Sequence, residues 1–327
     1  MWKHDVSGTP KGPRTLLIVT VVSVFLMLAS LARPRDAVLG YPQVDYKISV
    51  NVELVVLPVT VTDRTGDFVP GLHATNFRVF EAGRPQEITL FDSEDVPVTV
   101  GFVVDNSGSM RSKRPGVVVA SLAFVKSSNP LDQMFVVNFN QKVSLGLPQS
   151  IPFTSDLQQL RAALTKIPPT GNTALYDAIA VGLQHLKAGT RDRKALIVVT
   201  DGGDNASDLK FRDLLKMAEG SNAIIYTIGL LDERYSDENP RVLQELAKAT
   251  GGEAYFPTST TEVQEVSGRI AKDIRQQYTI GYVPANSVAD GKFRAIRVTA
   301  KAQGVGKLRV RTRAGYLPPT ESPLASK

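Results

Sequence analysis

The run Asp105-Asn106-Ser107-Gly108-Ser109 places one carboxylate and two hydroxyls at alternate positions of a short loop. A second carboxylate, Asp201, lies in Thr200-Asp201-Gly202-Gly203-Asp204, and a third hydroxyl, Thr173, closes Thr170-Gly171-Asn172-Thr173. Brought to one point, two carboxylates and three hydroxyls make an all-oxygen, moderately charged cage. Such a cage suits a hard divalent cation of near-octahedral preference, Mg²⁺ or Mn²⁺ ahead of Zn²⁺. Asp, Ser and Gly also gather in ordinary turns for backbone reasons, so Asp-x-Ser-x-Ser alone decides little. What decides is whether the fold brings the three loops together.

From residue 98 onward, short apolar runs alternate with amphipathic helical patterns. Residues 98–104, 134–139, 195–199, 223–228 and 253–256 read as strands, and residues 116–126, 155–167, 174–187, 209–219, 240–249 and 262–276 as helices. Several helix ends carry start or stop signals. Ser155 with Gln158 and Ser259 with Glu262 have capping-box spacing, Asn239-Pro240 pairs a cap with a first-turn proline, and Gly251 follows a helix end. Continuous apolar strands alternating with such helices predict a doubly wound, Rossmann-like, mostly parallel sheet covered on both faces. Residues 142–147 follow a strand too closely for a crossover and return antiparallel as an edge hairpin. In the strand order 3-2-1-4-5-6, ligands bind beyond the carboxyl ends of strands one and four, where the order reverses. Asp105 ends the first strand and Asp201 follows the fourth, so both face one crevice, with the Thr173 loop as a third edge.

The flanks have a different texture. Residues 48–62, 77–81 and 86–91 before this region, and 278–283, 293–301 and 307–313 after it, read as extended segments bounded by turns. Two or three strands are marginal alone, so the two flanks are expected to share one core as a small split β domain into which the α/β domain is inserted. The expected boundaries are 47–95 and 277–317 for the β domain, 96–276 for the α/β domain, 33–46 for a linker and 318–327 for a tail. The basic residues Lys292, Arg294, Arg297, Lys301, Lys307, Arg309, Arg311 and Arg313 are read as a solvated strand face opposite the core rather than as a nucleic-acid site.

Lys3, His4, Lys11 and Arg14 precede an uncharged apolar run over residues 15–32 that ends Ser30-Leu31-Ala32. That pattern fits a secretory signal, and its length also fits an uncleaved membrane anchor. Either way the remainder is expected outside the cytoplasm, secreted or periplasmic, or held on the outer face of the cytoplasmic membrane. The chain has no cysteine, which excludes disulfides, thiolate metal sites and a cysteine nucleophile. Its three histidines, His4, His73 and His185, are remote in sequence from the crevice loops, so no general base is in view. The net charge of +6 reflects in part the N-terminal cations and does not by itself name a partner.

The pattern Asp105-x-Ser107-x-Ser109, Thr173 and Asp201 resembles, in all five positions, the metal-ion-dependent adhesion site of von Willebrand factor type A domains. The flanks, from Val69-Pro70-Gly71-Leu72 through Asn76-Phe77-Arg78-Val79-Phe80-Glu81-Ala82-Gly83 and from Tyr278-Thr279-Ile280-Gly281-Tyr282 to Gly315-Tyr316, are similar to secreted bacterial proteins of that type. The resemblance implies that Ser107, Ser109 and Thr173 touch Mg²⁺ or Mn²⁺ while Asp105 and Asp201 act directly or through water. It also implies that an exposed Asp or Glu of a protein partner fills the open coordination position. The expected function is non-enzymatic binding or adhesion, without nucleic acid, and with membrane contact only through the N-terminal segment. A metal-dependent hydrolase, or a polyanion-binding envelope scaffold using the basic C-terminal strands, are the alternatives.

Overall fold

The computed structural model describes residues 54–231, 239–285 and 291–318. The expected leader, the linker and all but Pro318 of the expected tail lie outside those residues. Four strands come first: β1 (Val55–Thr62), β2 (Phe77–Glu81), β3 (Arg84–Gln86) and β4 (Ile88–Asp92). The α/β region then runs β5 (Val98–Asp105), α1 (Arg114–Lys126), β6 (Gln133–Phe139), β7 (Val143–Leu145), α2 (Leu157–Leu164), α3 (Leu175–Leu186), β8 (Arg193–Thr200), α4 (Phe211–Glu219), β9 (Ala223–Gly229), α5 (Pro240–Thr250), β10 (Ala254–Tyr255) and α6 (Thr260–Arg275). The chain closes with β11 (Tyr278–Tyr282), β12 (Arg294–Ala300), β13 (Arg309–Arg311) and β14 (Gly315–Tyr316).

The central sheet has the order β10-β9-β8-β5-β6-β7. All its neighbours are parallel except β6 and β7, which form the antiparallel edge hairpin. β5 is buried along its whole length because helices cover both faces. Gly101 in its middle is required by packing: a Cβ there would stand 2.3 Å from Phe135 Cζ and 2.6 Å from Leu196 Cδ2. The register pairs Val104 with Val199, so β5 and β8 end side by side.

The flanking segments form two antiparallel sheets, β13-β1-β11-β4 and β14-β12-β2-β3. Leu57, Val59 and Ile280 from the first sheet and Phe77, Val79 and Val298 from the second belong to one apolar cluster, separate from the α/β core. N- and C-terminal segments therefore make a single β module. Tyr278 ties it further, accepting from Leu72 N at 3.1 Å and donating to Val69 O at 2.7 Å.

Two local expectations are corrected. The cap of α2 is Asp156 rather than Ser155: its carboxylate accepts from Gln159 N at 2.7 Å, the stronger acceptor setting a start one residue later. At α6 the Ser259 cap is present, but Glu262 reaches Thr258 N at 2.7 Å. Gly251 ends α5 at φ 85°, a left-handed conformation that glycine adopts without a side-chain clash.

The basic C-terminal face is corrected as well, because it is not uniformly solvated. Arg294 has the parity of Ile296 and Val298, and points inward to Glu81 Oε1 at 3.2 Å. Tyr282 and Tyr316 hydroxyls donate to the other Glu81 oxygen at 2.7 and 3.0 Å, so this buried charge is fully engaged. Arg311 reaches Glu253 and Asp273, and Arg313 reaches Asn222, all of the α/β region. Arg297 does stay outside, with its guanidinium 4.4 Å from the centre of the Phe80 ring.

Candidate metal centre

The site is built where β5 and β8 end. Asp105 is the last residue of β5 and is completely buried. Its Oδ1 accepts from Ser107 N at 2.7 Å, which turns the chain sharply, and its Oδ2 accepts from Thr200 Oγ1 at 2.7 Å at the end of β8. The turn delivers Ser107 and Ser109 to one side, with their hydroxyl oxygens 3.0 Å apart. Ser109 Oγ then donates to Asp201 Oδ2. Four of the five expected residues therefore form one connected cluster, Asp105 joining it through the Ser107 backbone and through the neighbour of Asp201.

Thr173 is brought in by its loop. Gly108 N donates to Gly171 O at 3.0 Å and Thr170 N to Asn106 O at 2.8 Å, so the first and third loops are stitched together. Gly171 has φ 81°, and a Cβ on it would fall 1.7 Å from Gln141 Oε1, the atom that accepts from Asn172 N at 3.1 Å. A larger residue would be strained at that φ and would push the Gln141 amide away from Asn172 N. Thr173 N donates to Asn205 Oδ1 at 2.9 Å, and Thr173 O accepts from Asn205 N and Ala206 N, which fastens this loop to the one carrying Asp201.

Asn205 is therefore a positioning residue for Thr173. Asp204 accepts from Ser207 Oγ at 2.6 Å and, with that serine, meets Tyr176 N at the start of α3. Sequence reading also passes over Thr200 as a partner of Asp105, and over Arg114, a buried guanidinium close enough to Asp105 to feel its charge. A threonine just before a strand-end aspartate is the signal that could have found Thr200. Arg114 has no comparable signature.

Burial first, and then the nearby Asp201 charge, push the Asp105 carboxyl up to about 7, against the opposing hydrogen bonds from Thr200 and Ser107. Among the described residues no three His, Asp or Glu side chains are grouped to hold a metal, so a cation here rests on two carboxylates and neutral oxygens. Two buried, mutually repelling carboxylates with hydroxyls beside them fit a hard divalent ion, which would remove the repulsion. Asp105, Ser107, Ser109, Thr173 and Asp201 are the residues that would hold it.

A pH prediction follows. Without metal, folded Asp105 holds its proton up to about pH 7, whereas the unfolded chain releases it near 3.8. Between those values the folded state binds more protons, so stability is present below the unfolded value and lost as pH rises through the folded one. The span corresponds to on the order of 4 kcal/mol at most. Chelated protein is expected to melt several degrees lower at pH 8 than at pH 5, with Mg²⁺ restoring the difference. Asp105→Asn should flatten this dependence in calorimetry; an equally steep profile in that variant would assign the effect to other groups.

The model of the von Willebrand factor type A domain family matches residues 100–203, a span that contains all five residues. An uncharacterized protein of Borreliella burgdorferi is 25% identical over 136 residues, so the chain spans 40% of the length of this curated relative and the match covers 40% of this chain. Among solved structures, the von Willebrand factor type A protein from Catenulispora acidiphila is 14% identical with a TM-score of 0.49, covering 83% of this chain and 74% of that one. BatB from Bacteroides thetaiotaomicron is 20% identical with a TM-score of 0.42, covering 54% of this chain and 98% of that one. The vWF domain of the pilus tip protein Mfa5 from Porphyromonas gingivalis is 13% identical with a TM-score of 0.46, covering 55% and 95%.

Proposed function

The chain carries a von Willebrand factor type A domain, and from the crevice at the end of its sheet we infer an extracytoplasmic, non-enzymatic binding protein that captures an acidic group of a protein partner through Mg²⁺ or Mn²⁺. One observation carries this reading: two buried carboxylates and two serine hydroxyls form a connected oxygen cluster, with Thr173 held on an adjoining loop. A divalent ion held by two carboxylates, one beside the Arg114 charge, keeps residual positive character and favours an anionic outer ligand. The family match supports a binding function.

Reaction chemistry has little support. His185 lies between Phe135 and Phe153 with Nε2 2.8 Å from Pro152 O, and His73 stands beside the short turn before β2. Neither is offered to the crevice as a base. The polyanion reading loses three of its cations, since Arg294, Arg311 and Arg313 are engaged within the chain. The placement outside the cytoplasm rests on the apolar N-terminal run; among the described residues no helix is long and apolar enough to cross a membrane.

Capture from an envelope fraction tests the reading when run with Mg²⁺, with chelator, and after the fraction's carboxyls have been converted to amides. The captured protein should be lost in the last two conditions. Capture that withstands both would remove the cation and the acidic group from the account.

A further inference from the structure

The C-terminal segment 291–318 contains lysines and arginines but no Asp or Glu. Arg294, Arg311 and Arg313 turn inward, while the alternation of β12 sends Arg297 and, one residue past its end, Lys301 to the outer face. Lys301 N donates to Asn76 O and Asn76 Nδ2 to Lys301 O, both at 2.9 Å, so the pairing towards β2 continues as far as that residue. On β2 the register sets Phe80 opposite Arg297 and Arg78 opposite Thr299. β12 and β2 are the inner strands of their sheet. The middle of its outer face is therefore a rigid triangle of Arg78, Arg297 and Lys301 around Phe80. At about 3.3 Å per residue and about 4.8 Å between strands, Arg78 lies roughly 8 Å from each of the other two along the backbone lattice.

The Arg297 guanidinium stands over the Phe80 ring, 4.4 Å from its centre. Stacking occupies the face of a guanidinium and leaves its in-plane N–H donors open. All three cations are exposed, and apart from that ring contact their side chains make no hydrogen bond or ion pair among the described residues. Glu87 follows β3 in line with Arg78 and makes no ion pair with it. On the side of β12 away from β2, a cavity of about 440 Å³ is lined by Arg297, Gln244, Thr312 and the exposed Lys248 of α5. Glu253, the one carboxylate in that lining, is taken by Arg311.

We propose that this outer face, with the cavity beside it, binds a chain of an anionic polysaccharide, its carboxylate or sulfate groups spread over Arg78, Arg297 and Lys301. Cations held at fixed spacing on a sheet match a polymer whose charges repeat, and release of the polymer's counterions favours the complex. A protein partner would call for an apolar centre, where this face has a stacked cation. The choice of a sugar polymer over a nucleic acid rests on the placement outside the cytoplasm proposed above. The surface shares no residue with the cation site.

Retention of the full chain on immobilised polygalacturonate and on dextran sulfate tests this, in neutral detergent with chelator present so that the cation site does not contribute. Both polymers should hold the protein at moderate salt, uncharged dextran should not, and rising salt should release it. The stronger of the two identifies the acidic group. Arg78→Gln, Arg297→Gln and Lys301→Gln combined should weaken binding on the order of 100-fold, at about fivefold per cation. The same charge removed by Lys126→Gln, Arg161→Gln and Lys187→Gln, at exposed positions of the α/β region, should leave binding nearly unchanged. All six are exposed sites, so neither triple variant is expected to unfold the chain, which a melting curve checks. Should the first triple melt early, Arg78→Gln and Lys301→Gln taken singly give the same reading through weaker retention. No retention on either charged polymer, equal losses from the two triples, or tighter binding to phosphatidylglycerol vesicles than to both polymers would each overturn the proposal.

Discussion

Asp201→Ala is expected to weaken Mg²⁺ binding sharply and to raise, rather than lower, the melting temperature of the chelated protein at pH 8. Asp201 is nearly buried, accepts from Ser109, and adds to the burial penalty on Asp105. Removing it leaves one carboxylate and neutral oxygens for a divalent ion, so calorimetry should show affinity lower by at least about 100-fold, or roughly 3 kcal/mol. It also removes the repulsion that destabilises the metal-free site, which is why the apo protein gains. Asp105→Ala should lose the metal as well, but it also deletes the acceptor that turns Ser107 and holds Thr200. Thr173→Ala is expected to keep most Mg²⁺ binding and to weaken partner capture, if its hydroxyl joins the shell when the partner is bound. An Asp201→Ala protein that still gains stability from Mg²⁺ would show that the ion binds elsewhere.

Arg311→Ala is expected to cost about 3 kcal/mol of unfolding free energy and to loosen the contact between the β module and the α/β region. Arg311 belongs to β13, pairs with Glu253 at 2.8 Å and with Asp273 on α6, and is 17% exposed, while Asp273 is 7% exposed. Deleting one member of a buried pair leaves the other charge without compensation, typically about 3–5 kcal/mol. The partial exposure of Glu253 argues for the lower end. The same region is tied by Ala314 N to Ala249 O at 3.1 Å and by β13 to Thr60–Thr62 of β1. Hydrogen exchange should therefore rise at 60–62 and 249–253 together. Pairing Arg311→Met with Asp273→Leu should recover most of the loss, since an apolar pair can replace a buried ionic one. A change within 0.5 kcal/mol for Arg311→Ala, on the scale of an exposed surface site, would mean the bridge does not hold the modules.

The legible part of the fold is the part governed by hydrophobic pattern. Residues 98–104 form a largely apolar run, with Thr99 its one polar side chain, because both faces of a central parallel strand are covered, and the alternation of runs and helices orders the sheet. Once β5 and β8 are neighbours, Asp105 and Thr200-Asp201 must share one end. Side-chain partners were less legible. Arg294 has inward parity that a reading of charge alone misses, and Arg311 finds its acids in β10's approach and α6, distant in sequence. Asn205 looks like any loop asparagine until its acceptor is seen to hold Thr173. These depend on how two modules and three loops meet, which neither periodicity nor composition encodes.

The central claim is that a hard cation sits among the hydroxyls of Ser107, Ser109 and Thr173 and the carboxylates of Asp105 and Asp201. Anomalous diffraction from crystals of the protein saturated with Mn²⁺ tests it most directly. The account predicts a single strong peak beyond the ends of β5 and β8, within coordination distance of Ser107 and Ser109, that vanishes in Asp201→Ala crystals. No peak there at saturating Mn²⁺, or a peak that persists unchanged in that variant, would contradict it.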